Sequence, residues 1–186
     1  MVAEAVLEAA TVRLRPLEDT DLPLLVRWSN DPEVRHWLHR SESPPLTLEL
    51  AQALVAAMRR DPGTLVWCIE AERRPIGDVR LLQVDPVNRR AELGIAIGEK
   101  ACWGRGYGTD ATRRILRHAF GELGLRRVWL ITDADNARGI RCYEKCGFVR
   151  EAVLRGHRLR YGEPLDMIAM GVLRGESAGY ASEDGD

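Results

Sequence analysis

The chain has no apolar run approaching the ~20 residues needed to span a bilayer. Its first residues, Met1-Val2-Ala3-Glu4, carry no basic side chain and lead into no apolar core, so no secretory leader is predicted. Cysteine is scarce. The four, at 68, 102, 142 and 146, form no CxxC pair and are too few for a disulfide scaffold, so a reducing, cytoplasmic setting is expected. There is no internal repeat. With 45% hydrophobic and 30% charged residues the composition is that of an ordinary globular protein, which excludes disordered, collagen-like and coiled-coil classes. The 186 residues suit one domain at the usual ~150 per domain.

Lysine is nearly absent, since 25 of the 27 basic residues are arginine. The net charge of −1 hides an uneven distribution. Residues 105–160 carry 13 basic and 6 acidic side chains, whereas residues 161–186 carry 1 basic and 6 acidic. A basic middle in a near-neutral chain suits an anionic ligand better than a long nucleic acid, although solvated arginines alone would give the same count. The expected partners include no nucleic acid and no membrane.

Periodicity orders the rest. Thr11 to Arg15 reads as a short strand stopped by Pro16. Helices are predicted from Asp19 and Asp21 through Trp28, over Glu33 to Leu38, and from the cap Thr47, with Leu48, Ala51, Leu54, Val55 and Met58 at helical spacing. Leu65 to Glu70 and Ile76 to Val84 read as a hairpin, followed by the strand Ala91 to Ile97. A glycine-rich loop, Gly104 to Gly108, precedes an amphipathic helix ending at Gly124. Val128 to Thr132 is a strand and Ala137 to Cys146 a helix. Phe148 to Leu154 and Leu165 to Leu173 form an antiparallel strand pair. The class is α/β with a mixed, mostly antiparallel sheet. Residues 1–10 are an N-terminal extension, 11–173 a single domain and 174–186 an acidic, flexible tail.

The chemistry concentrates where a strand passes through Trp103-Gly104-Arg105-Gly106-Tyr107-Gly108-Thr109 into a helix. Such a junction offers free backbone N–H groups and a positive helix end to an anion, phosphate first among them. Glycines merely shaping a turn are the bland alternative. A Walker A loop is excluded because no Gly-Lys-Ser/Thr follows. Gly106 to Ala111 matches the dinucleotide pattern G-x-G-x-x-A, but eight residues separate Ile97 from Gly106 where a tight turn is required. No G-x-S-x-G stands between a predicted strand and a predicted helix, as a nucleophile elbow for covalent catalysis requires.

The same loop resembles the acetyl-CoA loop of the GNAT acyltransferase superfamily, in the form found in its RimJ/RimL branch. Asp135-Asn136-Ala137-Arg138-Gly139-Ile140-Arg141-Cys142-Tyr143-Glu144-Lys145-Cys146-Gly147-Phe148 is similar to the family's Asn-x6-Tyr-x3-Gly-Phe segment. Leu14-Arg15-Pro16-Leu17, Asn30-Asp31-Pro32-Glu33-Val34 and Gly162 to Met170 resemble that branch too, so the likeness runs over about residues 11–173. It departs from the general Gln/Arg-x-x-Gly-x-Gly/Ala pattern at Trp103, which leaves Arg105 as the expected basic contributor.

The resemblance implies a GNAT-like sheet with helices on both faces, and acetyl-CoA-dependent N-acetylation without a metal. By position, backbone of Ile95, Ala96 and Ile97 would hold pantetheine, and backbone of Arg105, Gly106, Tyr107, Gly108 and Thr109 the pyrophosphate. Asn136 would lie near the cofactor arm and Arg141 near the adenine end, although Asn136 is equally a helix cap and Arg141 a solvated arginine. Tyr143 matches the family tyrosine that protonates the departing thiolate; a core aromatic is the alternative. Glu92 is placed to accept the amine proton or else to pair with Arg90. His36 and Trp37 fall in the helical region that shapes the acceptor pocket, and the His36/His39 spacing lacks a third metal ligand.

The expected acceptor is a primary amine, on a small molecule or a protein N-terminus. Spermidine acetyltransferases of similar appearance have an acidic stretch after the tryptophan of the second helix, where Trp37-Leu38-His39-Arg40-Ser41 is basic. Aminoglycoside and polyamine N-acetyltransferases, or a non-catalytic CoA-binding module, are the competing readings, and a homodimer is left open.

Overall fold

The structure, a computed structural model, describes residues 5–39 and 41–176. Eight strands form one sheet: β1 (Leu7–Glu8), β2 (Arg13–Pro16), β3 (Leu65–Ala71), β4 (Arg74–Asp85), β5 (Arg90–Ile97), β6 (Arg127–Asp133), β7 (Val149–Arg160) and β8 (Glu163–Leu173). Their order is β1-β2-β3-β4-β5-β6-β8-β7. Every neighbouring pair is antiparallel except β5 and β6, which run parallel. The helices are α1 (Leu22–Asn30), α2 (Pro32–Trp37), α3 (Leu48–Arg60), α4 (Tyr107–Arg117) and α5 (Ala137–Glu144). This is the mixed, mostly antiparallel sheet expected.

Strand β3 shows why helices must cover both faces. Its run Leu-Val-Trp-Cys-Ile is apolar at every position, and alternate residues point to opposite sides. Leu65, Trp67 and Ile69 join the core beneath α4, with Ala111, Ile115, Leu116 and Phe120. Val66 and Cys68 join a smaller core with Leu22 of α1 and Val55 of α3. Each such large side chain taken from water contributes roughly 1.5–3 kcal/mol. On α3 only Ala51 and Val55 of the expected apolar group are buried; Leu48 and Leu54 are exposed, because α3 sits at the rim of its core.

The local signals explain the boundaries. Asp31 caps α2 by accepting from Glu33 N and Val34 N, and Thr47 caps α3 by accepting from Leu50 N. The helix α4 closes through a wider π turn, His118–Glu122, ahead of Gly124 at φ 64°. The sheet starts earlier than residue 11: Leu7–Glu8, within the stretch expected to be an extension, pairs with β2, and Leu7 is buried in the main core. Of the expected tail, Arg174 N donates to Arg126 O, while residues 177–186, like 1–4, lie outside the described residues. Among the described residues no helix is long and apolar enough to cross a membrane.

Candidate active site

Strands β5 and β6 pair at only three positions, Arg90↔Arg127, Ala91↔Val128 and Glu92↔Trp129. Beyond Glu92, β5 stays with β4 as far as Gly77↔Ile97, while β6 stays with β8 as far as Asp133↔Met167. The two strands therefore part, and a cleft of about 570 Å³ opens between them. One backbone edge of β5, from Leu93 to Ile97, faces it. Of the residues proposed from sequence, Glu92, Ile95, Ala96, Ile97, Gly106, Tyr107, Gly108, Thr109, Asn136, Arg141, Tyr143 and Trp37 all line this cleft.

The glycine loop closes one end. Gly104 and Gly106 have φ of 76° and 87°, which an L side chain rarely adopts, and Gly106 is the residue before α4. The first backbone bond of the helix runs from Asp110 N–H to Gly106 O at 3.0 Å. The N–H groups of Tyr107, Gly108 and Thr109 thus precede the helix's own ladder and sit at its positive end. A Cβ at Gly104 or Gly106 would meet nothing within 4 Å, so the space over the loop is open to a ligand.

Arg105 is the correction here. Its guanidinium leaves the cleft, meeting Glu72 at 3.4 Å and lying 5.2 Å over the Tyr107 ring. The cleft instead receives Arg138, Arg141 and Lys145 from α5 and the turn after it. Arg138 stacks 4.0 Å over Trp103, whose Nε1 donates to Ile97 O at 2.7 Å, and desolvation pushes its guanidinium pKa down. Among the described residues neither Arg138 nor Arg141 meets a carboxylate. Two uncompensated cations beside a helix N-terminus fit the phosphates of a nucleotide-bearing ligand. Sequence reasoning missed Arg138 because its partner Trp103 is contributed by a distant loop.

Glu92 and Tyr143 also line the cleft. Glu92 does not pair with Arg90, which meets Asp85 at 3.6 Å. Burial pushes the Glu92 carboxyl pKa up, opposed by the nearby His39. The Tyr143 ring packs at 5.9 Å against Phe148, and its hydroxyl has no hydrogen-bond partner among the described residues. Burial, reinforced by the adjacent Cys142 and Cys146, raises its pKa, so the hydroxyl stays protonated at neutral pH. Asn136 is committed locally: its Oδ1 accepts from Gly139 N at 3.0 Å and its Nδ2 donates to Thr132 Oγ1 at 3.2 Å, which caps α5.

The β7–β8 hairpin reaches α2. Asp133 is buried, and although burial works against it, hydrogen bonds from His39, Arg158 and Arg160 hold its carboxyl well below the usual range. Arg160 lies 5.5 Å over the Trp37 ring. His36 does not line the cleft; it packs edge-on against Trp37 at 4.5 Å and faces Tyr161. The His36 and His39 rings thus turn to different partners.

Cys142 lines the cleft and Cys146 is buried behind it. The neighbouring Cys146 thiol, helped by Thr109 Oγ1 donating to the sulfur at 3.3 Å, holds the Cys142 thiol below its ordinary pKa despite burial, while Cys146 Sγ itself donates to Thr109 O at 3.6 Å. Iodoacetamide at pH 7 is expected to label Cys142 ahead of Cys68, Cys102 and Cys146, and a ligand that fills the cleft is expected to protect it. Peptide mapping that finds Cys142 unmodified would put the thiol out of reach of the cleft.

Comparison with known proteins gives one consistent picture. Residues 11–149 match the family model described as an acetyltransferase (GNAT) domain. The spermidine N(1)-acetyltransferase of Escherichia coli K12 is 29% identical over 167 residues, 89% of this chain and 88% of the relative. YdaF of Bacillus subtilis, named as a candidate ribosomal N-acetyltransferase, is 29% identical over 176 residues, 92% and 95% of the two chains. The crystal structure of spermidine N-acetyltransferase from Vibrio cholerae in complex with CoA and spermine superposes with a TM-score of 0.82 at 25% identity, covering 89% of this chain and 97% of that one.

Proposed function

The chain belongs to the GNAT acetyltransferase family and is an N-acetyltransferase, and from that premise we propose that it acetylates a primary amine by direct transfer within a ternary complex. The observation that carries this reading is the parting of β5 from β6 after Glu92, with a cationic helix N-terminus at one end of the opening and a carboxylate at the other. Acetyl-CoA supplies the acetyl group as a thioester. Backbone N–H groups of Tyr107 to Thr109, with Arg138 and Arg141, would hold its phosphates, and the free edge of β5 its amide-bearing arm. We assign the RimJ/RimL-type branch on the Trp103–Thr109 loop.

Each catalytic demand has a group to meet it. A lysine-like amine, with a pKa of ~10.4, must lose a proton before it attacks. Glu92, with its raised pKa, accepts that proton directly or through water. Charge growing on the thioester oxygen is met by a β5 backbone N–H. Tyr143 donates its proton to the leaving sulfur. Thiol release from acetyl-CoA, followed across amines, polyamines, aminoglycosides and N-terminal peptides, tests the reading. Binding of acetyl-CoA without release by any acceptor would favour a regulatory module instead.

Glu92→Gln is expected to lower kcat/KM about 100-fold or more. In wild type the acid limb of the pH profile should lie above the ordinary glutamate value of about 4.3, because burial favours the protonated, inactive carboxyl. An unchanged limb in the variant would remove Glu92 from the mechanism. We also propose that 11–173, together with β1, act as one domain and that the acidic tail is dispensable. Deleting residues 177–186 should leave Tm and turnover near wild type, and a large loss of either would mean that the tail docks.

A further inference from the structure

The acceptor end of the cleft holds one ion pair that the mechanism above does not use. Asp78 and Arg80 lie on β4, on the same face as Glu92, in the register Asp78↔Ala96, Arg80↔Gly94 and Leu82↔Glu92. Arg80 and Glu92 are therefore diagonal cross-strand neighbours, their backbones about 7–8 Å apart. Arg80 Nε donates to Asp78 Oδ2 at 2.6 Å, and Asp78 is only 5% exposed. Among the described residues, the two Nη atoms of Arg80 have no hydrogen-bond partner, although the side chain lines the cleft.

Behind this pair is a second cavity of about 210 Å³, between α1, α3 and the sheet. Val34, Leu38, Asp78, Arg80 and Ala96 border both spaces, so the pair stands at their junction. The inner walls are apolar, Leu25, Leu46, Val55 and Met58 among them. Trp28 forms another wall, and its indole N–H is buried with no hydrogen-bond partner among the described residues.

We propose that the acceptor is a small amine that also carries a carboxylate and an apolar side group, an apolar α-amino acid, with the carboxylate on the Nη face of Arg80 and the side group in the inner cavity. The assignment rests on the N-acetyltransferase reading and names its substrate class. An α-amino acid branches from one carbon into amine, carboxylate and side group, as the site branches from Arg80 toward Glu92 and toward the cavity. A guanidinium with both Nη groups free matches a carboxylate in a bidentate fork. A polyamine needs the reverse charge. At this end Asp78 is taken by Arg80, and Asp133 by His39, Arg158 and Arg160, which leaves Glu92 as the one lining carboxylate without an ion-pair partner among the described residues. In the transfer the amine nitrogen forms the C–N bond as the thioester C–S bond breaks. The amine proton passes to Glu92, and CoA leaves as the thiol with the Tyr143 proton, which solvent restores.

The test is thiol release from acetyl-CoA with L-leucine, L-methionine and L-phenylalanine, against 3-methylbutylamine (leucine without its carboxylate) and spermidine. Leucine should exceed 3-methylbutylamine in kcat/KM by about 100-fold or more, since a polar site rejects an analogue lacking its partner group. Arg80→Gln should abolish that preference by raising KM for leucine, with KM for acetyl-CoA unchanged. Because Asp78 would then be buried without its cation, the paired variant Asp78→Asn with Arg80→Met, neutral at both positions, checks the same loss in a fold that keeps no orphan charge. Turnover of spermidine or 3-methylbutylamine equal to or above that of the amino acids overturns the proposal and leaves the N-acetyltransferase reading standing. Release with none of these five, nor with the aminoglycosides and N-terminal peptides of the wider panel, overturns both.

Discussion

Tyr143→Phe is expected to lower kcat by about 10²–10⁴-fold, the range for loss of a general acid, while acetyl-CoA affinity changes little. The phenylalanine ring keeps the packing against Phe148, and the hydroxyl it removes has no protein partner among the described residues. Stability should therefore shift by less than ~1 kcal/mol. A core-aromatic role predicts the opposite division, with stability lost and turnover kept. A residual rate persists in the variant because holding the amine against the thioester contributes independently. The decisive measurement is single-turnover kinetics with saturating acceptor; a near wild-type rate there would end the assignment of Tyr143 as the proton donor.

Gly106→Val is expected to weaken acetyl-CoA binding by about 100-fold or more. The backbone at Gly106 has φ 87° and ψ −9°, and a β-branched residue held there costs roughly 1–3 kcal/mol. Relief of that strain would turn the first N–H groups of α4 away from the space they face. No protein atom lies within 4 Å of a Cβ at this position, so the variant should fold, and any side chain there enters the volume the phosphates need. Gly106→Ala, with the same backbone demand and less bulk, should fall between the two. Calorimetry reporting wild-type affinity in folded Gly106→Val would dissociate the loop from cofactor binding.

The parts of the site that were legible from sequence are those written in local patterns. The Ala91 to Ile97 strand, the glycines at 104, 106 and 108, and the Asn136 to Phe148 block each carry a periodicity or a backbone requirement within a few residues. The family resemblance, not spacing, was what joined Glu92, Tyr143 and the α4 N-terminus in one site, and all three line one cleft. Charge partners were not legible. Arg105 was expected in the cleft and pairs with Glu72, 33 residues earlier, and Arg90 takes Asp85 and leaves Glu92 without an ion-pair partner among the described residues.

By itself the sequence determined most of the elements, the Thr47 cap and the glycine turn before α4, because strand alternation, helix period and the left-handed glycines act over distances of a few residues. It also determined that β3 would be covered on both faces, since no position in Leu65–Ile69 is polar. Only the tertiary structure decided how far β5 follows β6 and that β8 lies between β6 and β7, because pairing register is a property of two distant segments together. The same physics left the Nη face of Arg80 without a protein partner among the described residues, on the wall of the cleft. Asp78 is two residues away on the same strand face and meets only Nε, and among the described residues no other carboxylate pairs with Arg80.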